Sequence, residues 1–448
     1  MTRREWLGVA AGALNLPAEQ QRPNIVLILA DDLGYIDLGC AGNSSIHTPH
    51  IDKLASQGIR FTDFVVSWPA CTPSRSSILT GRYPQRNGLY DMIRNDEVNW
   101  KHVFTEEEYA VSEEMTLGLD VREVTIGQVM RSTGYATGVF GKWDSGRAKR
   151  FLPLQRGFDD FYGFANTGID YYTHERYRVA SMFRGNERIK EQGHATDLFK
   201  REALRFIDRN HRRPFFLYLP FNAPHGASTF DKSAPQVPEK YLKMYAGDRR
   251  AQYKALITHM DDAIGEILAR LDQYRLSDNT LIVFASDNGG TGDRNGKLRG
   301  GKGTLWEGGF RVPMIARFPG RIPAGVVSDQ FASTLEFLPT CAKLAGAHPP
   351  KGARLDGFDM MPLLENRAPT ERREMYWQRR GDKAARVGEW KWIESAAGGG
   401  LFQLSSDPGE RKDLSAEKPD VLAMVKGKWR AWRKEMDESE PRGPFRNY

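Results

Sequence analysis

Cys71 stands in the segment "SWPACTPSRSSILTGRYPQR", which covers residues 67–86. The chain has only three cysteines, and the other two, Cys40 and Cys341, lie far from it in sequence. Three widely spaced cysteines favour neither a disulfide framework nor a zinc knuckle. Cys71 is therefore either a small buried apolar residue, which is the default for a lone cysteine, or a chemically active one.

The residues after Cys71 are typical of the start of a helix. Thr72 is a good N-cap, Pro73 fits the first helical position, and Gly81 fits the position just past the end. We therefore predict a short helix with Cys71 immediately before its N-terminus. The partial positive charge there stabilises an anion and is expected to lower the pKa of the thiol. This pattern indicates a nucleophile that faces an oxyanion; a thiol buried in a loop is the alternative.

Polar side chains follow four apolar runs that are typical of buried strands. The runs cover residues 25–30, 136–140, 215–221 and 281–286 and are rich in β-branched or aromatic residues. In an open parallel sheet, chemistry collects outside the carboxyl ends of the strands, so the residues after these runs should share one rim. These residues are Asp31 and Asp32, Lys142 and Asp144, Asn222 and His225, and Asp287 and Asn288.

Asp31, Asp32, Asp287 and Asn288 form an all-oxygen set of candidate metal ligands. Three carboxylates crowded together repel one another unless a cation lies among them. Oxygen ligands suit a hard ion such as Ca²⁺ or Mg²⁺, whereas zinc more often uses histidine or cysteine. The alternative is that some of these aspartates cap the helices that follow them.

Four further side chains could hold an anion next to this metal set: Arg75, Lys142, His225 and Lys302. Lys302 lies in "LRGGKGTLWEGGF", a glycine-dense loop whose backbone can approach a ligand closely. Cations gathered around a metal suggest a small oxyanion such as sulfate or phosphate, with His225 as a proton donor. Each lysine alone is more often a solvated surface residue.

The elements that must position these residues alternate along the chain. Stretches of helical period at 124–132, 197–210 and 253–274 separate the strand-like runs. The alternation predicts an α/β fold with a large, mainly parallel sheet covered by helices on both faces. After a polar linker near Leu363, three strand-like runs and a helical tail at 418–436 predict a small antiparallel C-terminal sheet with a helix. We expect a catalytic domain at 22–365 and a C-terminal subdomain at 373–448.

The composition of the 448 residues is that of a globular protein, with 40% hydrophobic and 27% charged residues. The net charge of +7 could favour anionic partners, but lysine and arginine are scattered and form no continuous basic stripe, so we expect no nucleic-acid partner.

The first residues, "MTRREWLGVAAGALNLPAEQQ", resemble a secretory signal with a twin-arginine start, removed near residue 20. A frayed helix is the alternative. The apolar run is too short to span a bilayer, and we predict no transmembrane segment. Residues 1–20 as a signal peptide imply export, to the periplasm or the extracellular space.

The motif "CTPSR" at residues 71–75, followed by "GRYP", resembles the signature of the type I sulfatases, of the alkaline phosphatase-like superfamily. The segments "NIVLILADDLGYIDLGC", "GKW", "PFFLYLPFNAPH", "SDNGG", "LRGGKGTLWEGGFRVP" and "LDGFDMMPLL" also follow the family's order. The resemblance covers about residues 24–413 and includes arylsulfatases and N-acetylgalactosamine sulfatases. It implies that a formylglycine-generating enzyme oxidises Cys71 to Cα-formylglycine (3-oxoalanine).

The resemblance also implies roles for the other residues. A divalent metal, usually calcium, would be bound by Asp31, Asp32, Asp287, Asn288 and the modified Cys71. Arg75, Lys142, His225 and Lys302 match the family's sulfate-contacting residues. The hydrated aldehyde would attack sulfur through one hydroxyl and expel sulfate through the other, while His225 protonates the leaving alcohol.

Asp144 departs from the family pattern, because family members commonly read "GKWH" where this chain reads "GKWDSG". The family's histidine helps to position and deprotonate the diol. A carboxylate could act as a base, but it cannot donate a hydrogen bond when ionised, and it adds negative charge near an anionic substrate.

We therefore expect a sulfuric ester hydrolase that acts on a sulfated sugar or an aryl sulfate. Segments 91–120 and 169–193, rich in Tyr, Trp, Arg and Glu, suit both kinds of substrate. A phosphomonoester or phosphonate hydrolase is the alternative if Cys71 stays a thiol. An inactive exported glycan-binding protein is the other alternative, with Asp144 as the change that removed turnover.

Overall fold

The computed structural model describes residues 22–92, 98–99, 102–103, 118–176, 179–227, 234–348 and 353–439. The predicted signal peptide and most of segment 91–120 lie outside these residues. Within them, no helix combines the length and the apolar character that crossing a bilayer requires.

The helices of the described residues are α1 Pro49–Ser56, α2 Cys71–Thr80, α3 Pro84–Asn87, α4 Ile126–Ser132, α5 Ala195–Asn210, α6 Glu239–Lys243, α7 Ala251–Gln273, α8 Glu307–Phe310, α9 Phe337–Ala345, α10 Met361–Leu364 and α11 Pro419–Glu438. The strands are β1 Asn24–Ala30, β2 Ile59–Phe61, β3 Phe64–Val65, β4 Val98–Asn99, β5 His102–Val103, β6 Ala136–Lys142, β7 Asp160–Phe164, β8 Glu175–Arg176, β9 Val179–Ala180, β10 Met182–Arg184, β11 Glu187–Arg188, β12 Phe215–Pro220, β13 Thr280–Ser286, β14 Met314–Arg317, β15 Val326–Ser328, β16 Ala332–Ser333, β17 Glu374–Arg379, β18 Asp382–Val387, β19 Trp390–Ser395 and β20 Gly398–Gln403.

A ten-stranded sheet forms the centre of the molecule, in the order β11-β10-β7-β6-β12-β1-β13-β14-β2-β15. The five central strands, from β7 to β13, are parallel to their neighbours. Strands β10 and β14 pair antiparallel with the two ends of this parallel block. The predicted α/β fold class is confirmed, with a parallel centre and mixed edges.

Both faces of the central sheet are buried, as a parallel sheet requires. Side chains alternate along β1, so that Ile25, Leu27 and Leu29 belong to one hydrophobic core while Val26 and Ile28 belong to the other. The first core also contains α2 and the C-terminal sheet, and the second contains α1, α5 and α7. Because the apolar side chains of β1 fill both cores, the polar groups of this segment lie at the ends of the strand.

The C-terminal sheet has four antiparallel strands, β17-β18-β19-β20, and not the three predicted runs. The run "ARVGEWKWIE" is split by Gly388, which adopts a φ of +58° in the turn between β18 and β19. The predicted helical tail is present as α11, and its Trp429 packs edge-on against Trp392 of β19 at 5.9 Å. Trp377 of β17 stacks on Phe310 of α8, with 4.2 Å between the ring centroids. Both residues belong to the core on one face of the large sheet, so the two sheets share one core. The domain limits at 22–365 and 373–448 stay a prediction.

Candidate functional site

The register of the central strands brings the candidate metal ligands together. Ala30 pairs with Ser286 at the carboxyl ends of β1 and β13, so the next residues, Asp31 and Asp287, lie side by side. The backbone N–H of Asp287 donates to the carbonyl of Ala30 (3.1 Å), and that of Asp31 donates to the carbonyl of Ala223 (3.0 Å). Three neighbouring strands, β12, β1 and β13, therefore end at one point.

Cys71 lies inside this group and is only 1% exposed. Its Sγ is 3.2 Å from Oδ1 of Asp31 and 3.8 Å from Oδ1 of Asp32. The ammonium of Lys302 lies 3.3 Å from the same sulfur. A side chain at position 71 therefore reaches both the carboxylates and a cation.

The predicted first helical residue, Pro73, is wrong by two residues. Helix α2 begins at Cys71 itself, after Ala70, and no side chain caps it. The hydroxyl of Thr72, expected to cap the helix, donates instead to Oδ1 of Asp144 at 2.9 Å. An ionised carboxylate is a stronger acceptor than a neutral group, so it competes for this hydroxyl. Gly81 ends the helix as predicted, with a φ of +64°.

The expected lowering of the Cys71 pKa is also wrong. Burial raises the pKa of this thiol well above its usual value, and the carboxylates of Asp287 and Asp31 raise it further. Lys142 and Lys302 act in the opposite direction but are outweighed. Unmodified Cys71 is consequently a neutral thiol and a weak nucleophile.

Each of the three carboxylates has a cationic partner. Lys142 Nζ lies 2.7 Å from Oδ2 of Asp31, and Lys302 Nζ lies 2.6 Å from Oδ1 of Asp32. The guanidinium of Arg75 donates to Oδ2 of Asp287 through Nε at 2.9 Å, and its terminal Nη2 forms an ion pair with the same oxygen at 2.8 Å. Side chains thus offset the repulsion among the aspartates, and the predicted cations and carboxylates form one buried network.

The donor atoms fit a hard metal ion. Ligand atoms of Asp31, Asp32, Cys71 and Asp287 all lie within 4.8 Å of one another. The amide nitrogen of Asn288 donates to Oδ1 of Asp32 at 2.8 Å, while its own Oδ1 is buried with no hydrogen-bond partner among the described residues. A buried oxygen without a donor is costly, and a cation would satisfy it.

His225 lies at the edge of the network, with Nε2 3.8 Å from Oδ2 of Asp32. Its Nδ1 pairs with the carbonyl of Gly226 at 2.6 Å, so this nitrogen carries the proton. Burial lowers the pKa of the ring to about 3, although Asp32 favours the charged form. The free ring is neutral near pH 7, and an anionic substrate beside it would favour protonation.

Asp144 follows β6 and is fully buried, with a φ of +50°. Its Oδ2 lies 3.6 Å from Nζ of Lys142 and has no hydrogen-bond partner among the described residues. Burial raises the pKa of this carboxyl to about 6, against the opposing effect of Lys142. Asp144 is therefore connected to the site by its ion pair with Lys142 and its hydrogen bond from Thr72.

Comparison with known proteins identifies the family. The family model described as Sulfatase matches residues 23–347, and one described as N-sulphoglucosamine sulphohydrolase, C-terminal, matches residues 301–434. The chain belongs to the sulfatase family. It is a hydrolase of sulfuric esters, as predicted.

Individual relatives agree with this assignment. N-acetylgalactosamine-6-sulfatase of Canis lupus familiaris is 32% identical to this sulfatase over 94% of this chain and 88% of the relative. Arylsulfatase A of Homo sapiens is also 32% identical, over 93% of this chain and 83% of the relative. The crystal structure of Ps i-CgsB in complex with k-i-k-neocarrahexaose has a TM-score of 0.82 to this sulfatase, at 32% identity and 94% coverage of both chains.

Two residues that support the site of this sulfatase escaped the sequence analysis. The hydroxyl of Tyr171 lies 3.0 Å from the carbonyls of both Asn222 and His225, so it fixes the loop after β12. Ser286 accepts from the backbone N–H of Leu33 and donates to the carbonyl of Asn288. Tyr171 has no local sequence signal, whereas Ser286 could have been found as the last residue of a strand beside the ligand pair.

Proposed function

We propose that this sulfatase removes sulfate from a sulfated carbohydrate, with Cys71, oxidised to Cα-formylglycine, as the nucleophilic residue. The carrying observation is the position of Cys71 Sγ, 3.2 Å from a carboxylate of the candidate metal set and 3.3 Å from Lys302. The names of two relatives support a sugar substrate, because one is an N-acetylgalactosamine-6-sulfatase and another binds a neocarrahexaose. An aryl sulfate is the alternative substrate, as the relative arylsulfatase A suggests.

Residues 31, 32, 287 and 288, together with modified residue 71, would hold Ca²⁺, or Mg²⁺ in its place. The ion would supply positive charge that favours an ionised hydroxyl at position 71. The unpartnered oxygen of Asn288 and the crowded carboxylates support this assignment.

The chain's own cations would bind the substrate's sulfate. Arg75, Lys142 and Lys302 are already fixed by hydrogen bonds to the aspartates, so little rearrangement is needed when charge develops on the sulfate oxygens. The sulfate would enter from the side of Lys302 and His225, whose side chains are 22% and 19% exposed, while the others are fully buried. His225 would protonate the leaving alcohol oxygen from Nε2 once the bound anion favours the charged ring.

The biological setting is proposed from the sequence. Residues 1–20 would direct export to the periplasm or the extracellular space, and a formylglycine-generating enzyme would modify Cys71 during maturation. The catalytic domain at 22–365 would carry the whole ligand set, and the subdomain at 373–448 would support it.

Mass spectrometry of the peptide that spans residues 68–75 tests the modification, with the aldehyde or its hydrate expected at position 71. Release of inorganic sulfate from sugar and aryl sulfates is measured alongside, with matched phosphate esters. Cys71→Ala should abolish turnover without loss of the folded state. The control Cys341→Ala, at another buried cysteine, should keep its turnover. Full activity in Cys71→Ala would refute the mechanism. An unmodified thiol with phosphate ester turnover would favour a phosphoesterase instead, and a modified protein without any turnover would favour a glycan-binding role.

A further inference from the structure

A cavity of about 250 Å³ lies beside the loop that carries His225. Pro224 and Gly226, the two neighbours of His225, form one wall. The remaining walls come from the start of α7 and the residues near it: Arg249, Arg250, Gln252, Tyr253, Leu256 and Arg294. None of the residues predicted to bind metal or sulfate lines this cavity.

Three arginines give the cavity an excess of positive charge. The guanidinium of Arg294 lies 3.7 Å over the ring of Tyr253, which is itself buried and bonded through its hydroxyl to Asp37 at 2.6 Å. Arg249 and Arg250 share one carboxylate, Asp293, at 2.5 and 3.4 Å.

The acidic groups around the cavity do not cancel this charge. Asp248 forms an ion pair with Lys254, in which Oδ2 lies 2.5 Å from Nζ. Within the part of the chain that the structure describes, the carboxylates of Asp293 and the buried Asp37 also bond to lining side chains, and three guanidinium groups outnumber these two. The Arg294 head group is held in place by the aromatic ring beneath it, so little side-chain freedom is lost when it binds an anion.

We infer that this cavity is a second anion subsite, which takes a sulfate or carboxylate group on the sugar next to the reacting one. The inference rests on the proposed function and extends it to glycans with more than one anionic group. A volume of about 250 Å³ is below the ~300–1,000 Å³ of pockets that enclose whole ligands, so it suits one pendant group. Guanidinium forks match the planar or tetrahedral oxygens of such groups.

The position of the cavity fits the direction of the leaving group. His225 is proposed to protonate the alcohol that leaves, and its two chain neighbours form the cavity wall. The ester oxygen of a glycan at His225 would therefore lie next to the wall of a cavity that the three arginines also line.

Steady-state kinetics on four sulfate esters test the subsite. The first two are 4-nitrophenyl sulfate and N-acetylgalactosamine 6-sulfate linked to neutral galactose, neither of which has a second anion. The other two carry a second anion, because the linked sugar is glucuronate or a sulfated galactose. Arg294→Gln and Arg250→Gln should lower kcat/KM for a doubly anionic substrate about tenfold, mainly through KM. The loss on the first two substrates should stay below about twofold.

The control is Arg212→Gln. Arg212 is exposed and precedes β12 at the amino end of the strand, away from the site, so its replacement should change none of the four kcat/KM values. The doubly anionic substrate that is affected more tells whether sulfate or carboxylate is preferred. Equal losses on all substrates, or none, would overturn the inference while the sulfatase assignment stands. Turnover of 4-nitrophenyl sulfate without any sugar substrate would refute both the sugar proposal and this subsite.

Discussion

Nζ of Lys391 in β19 lies 2.9 Å from Oε1 of Glu307, and neither side chain is exposed to solvent. The same ammonium lies 2.8 Å from Oε1 of Glu410, whose other oxygen accepts the backbone N–H of Glu307 at 2.7 Å. Glu307 begins α8, five residues after Lys302. The C-terminal sheet therefore anchors the segment that carries one of the candidate sulfate ligands.

Replacing Lys391 with methionine should destabilise the protein by about 3–5 kcal/mol, because two buried carboxylates lose their shared cation. Urea unfolding measures the change. Lys383→Met is the matched control, since Lys383 pairs with Glu394 at the surface of the same sheet and should cost less than about 1 kcal/mol. Equal losses in the two variants would show that the buried group contributes no special stability.

Asp144→Asn should change the pH dependence of KM for a sulfate ester. The pKa of Asp144 is raised to about 6 by burial, so the carboxyl gains negative charge as the pH rises through that value. This charge repels an anionic substrate, and KM of the wild type should rise several-fold between pH 5 and pH 7. The Asn variant keeps an acceptor for Thr72 and should lack this rise. The same rise in both proteins would exclude Asp144 as its source.

Asp261 should make folding stability depend on pH. Its two oxygens accept the backbone N–H groups of His50 and Ile51, at the start of α1, at 3.0 and 2.7 Å. Burial raises its pKa from 3.8 to about 7, so the folded state binds the proton more tightly than the unfolded state does.

Stability from this group is consequently greatest below pH 4 and is lost as the pH rises to about 7. Compared with Asp261→Asn, the wild type should lose roughly 2–4 kcal/mol over that interval, measured by urea unfolding at several pH values. The exposed control Asp278→Asn should track the wild type. A constant difference between wild type and Asp261→Asn would contradict the assigned titration.

Removal of divalent cations should stop turnover but leave the fold. Each aspartate of the site is bound by a lysine or arginine, so the carboxylates stay compensated without an ion. We expect dialysis against a chelator to abolish sulfate release, to lower the melting temperature by only a few degrees, and to be reversed by Ca²⁺. Unfolding on chelation would show that the cationic side chains do not suffice.

The strands and their polar ends could be predicted because they depend on local pattern. The apolar runs before Asp31 and Asp287 correspond to β1 and β13, and helices α5 and α7 begin within two residues of the predicted starts. That β1 lies between β12 and β13 could not be predicted, because strand order depends on contacts between distant segments.

The errors have the same origin. Thr72 has the local features of a cap, but its partner Asp144 lies 72 residues away and outcompetes the helix backbone. The pKa of Cys71 was predicted from the helix end alone, whereas burial and two distant carboxylates determine it. Tyr171 supports His225 from an unrelated loop, which no spacing rule indicates.

The near-complete enclosure of Cys71 has a consequence for biogenesis. With 1% of its surface accessible and neighbours from four distant stretches of chain around it, the thiol is out of reach of any other protein once folding is complete. An enzyme that oxidises Cys71, as proposed above, would therefore have to meet this cysteine on a nascent or not yet folded polypeptide, and the rate of folding would limit the time available for that encounter.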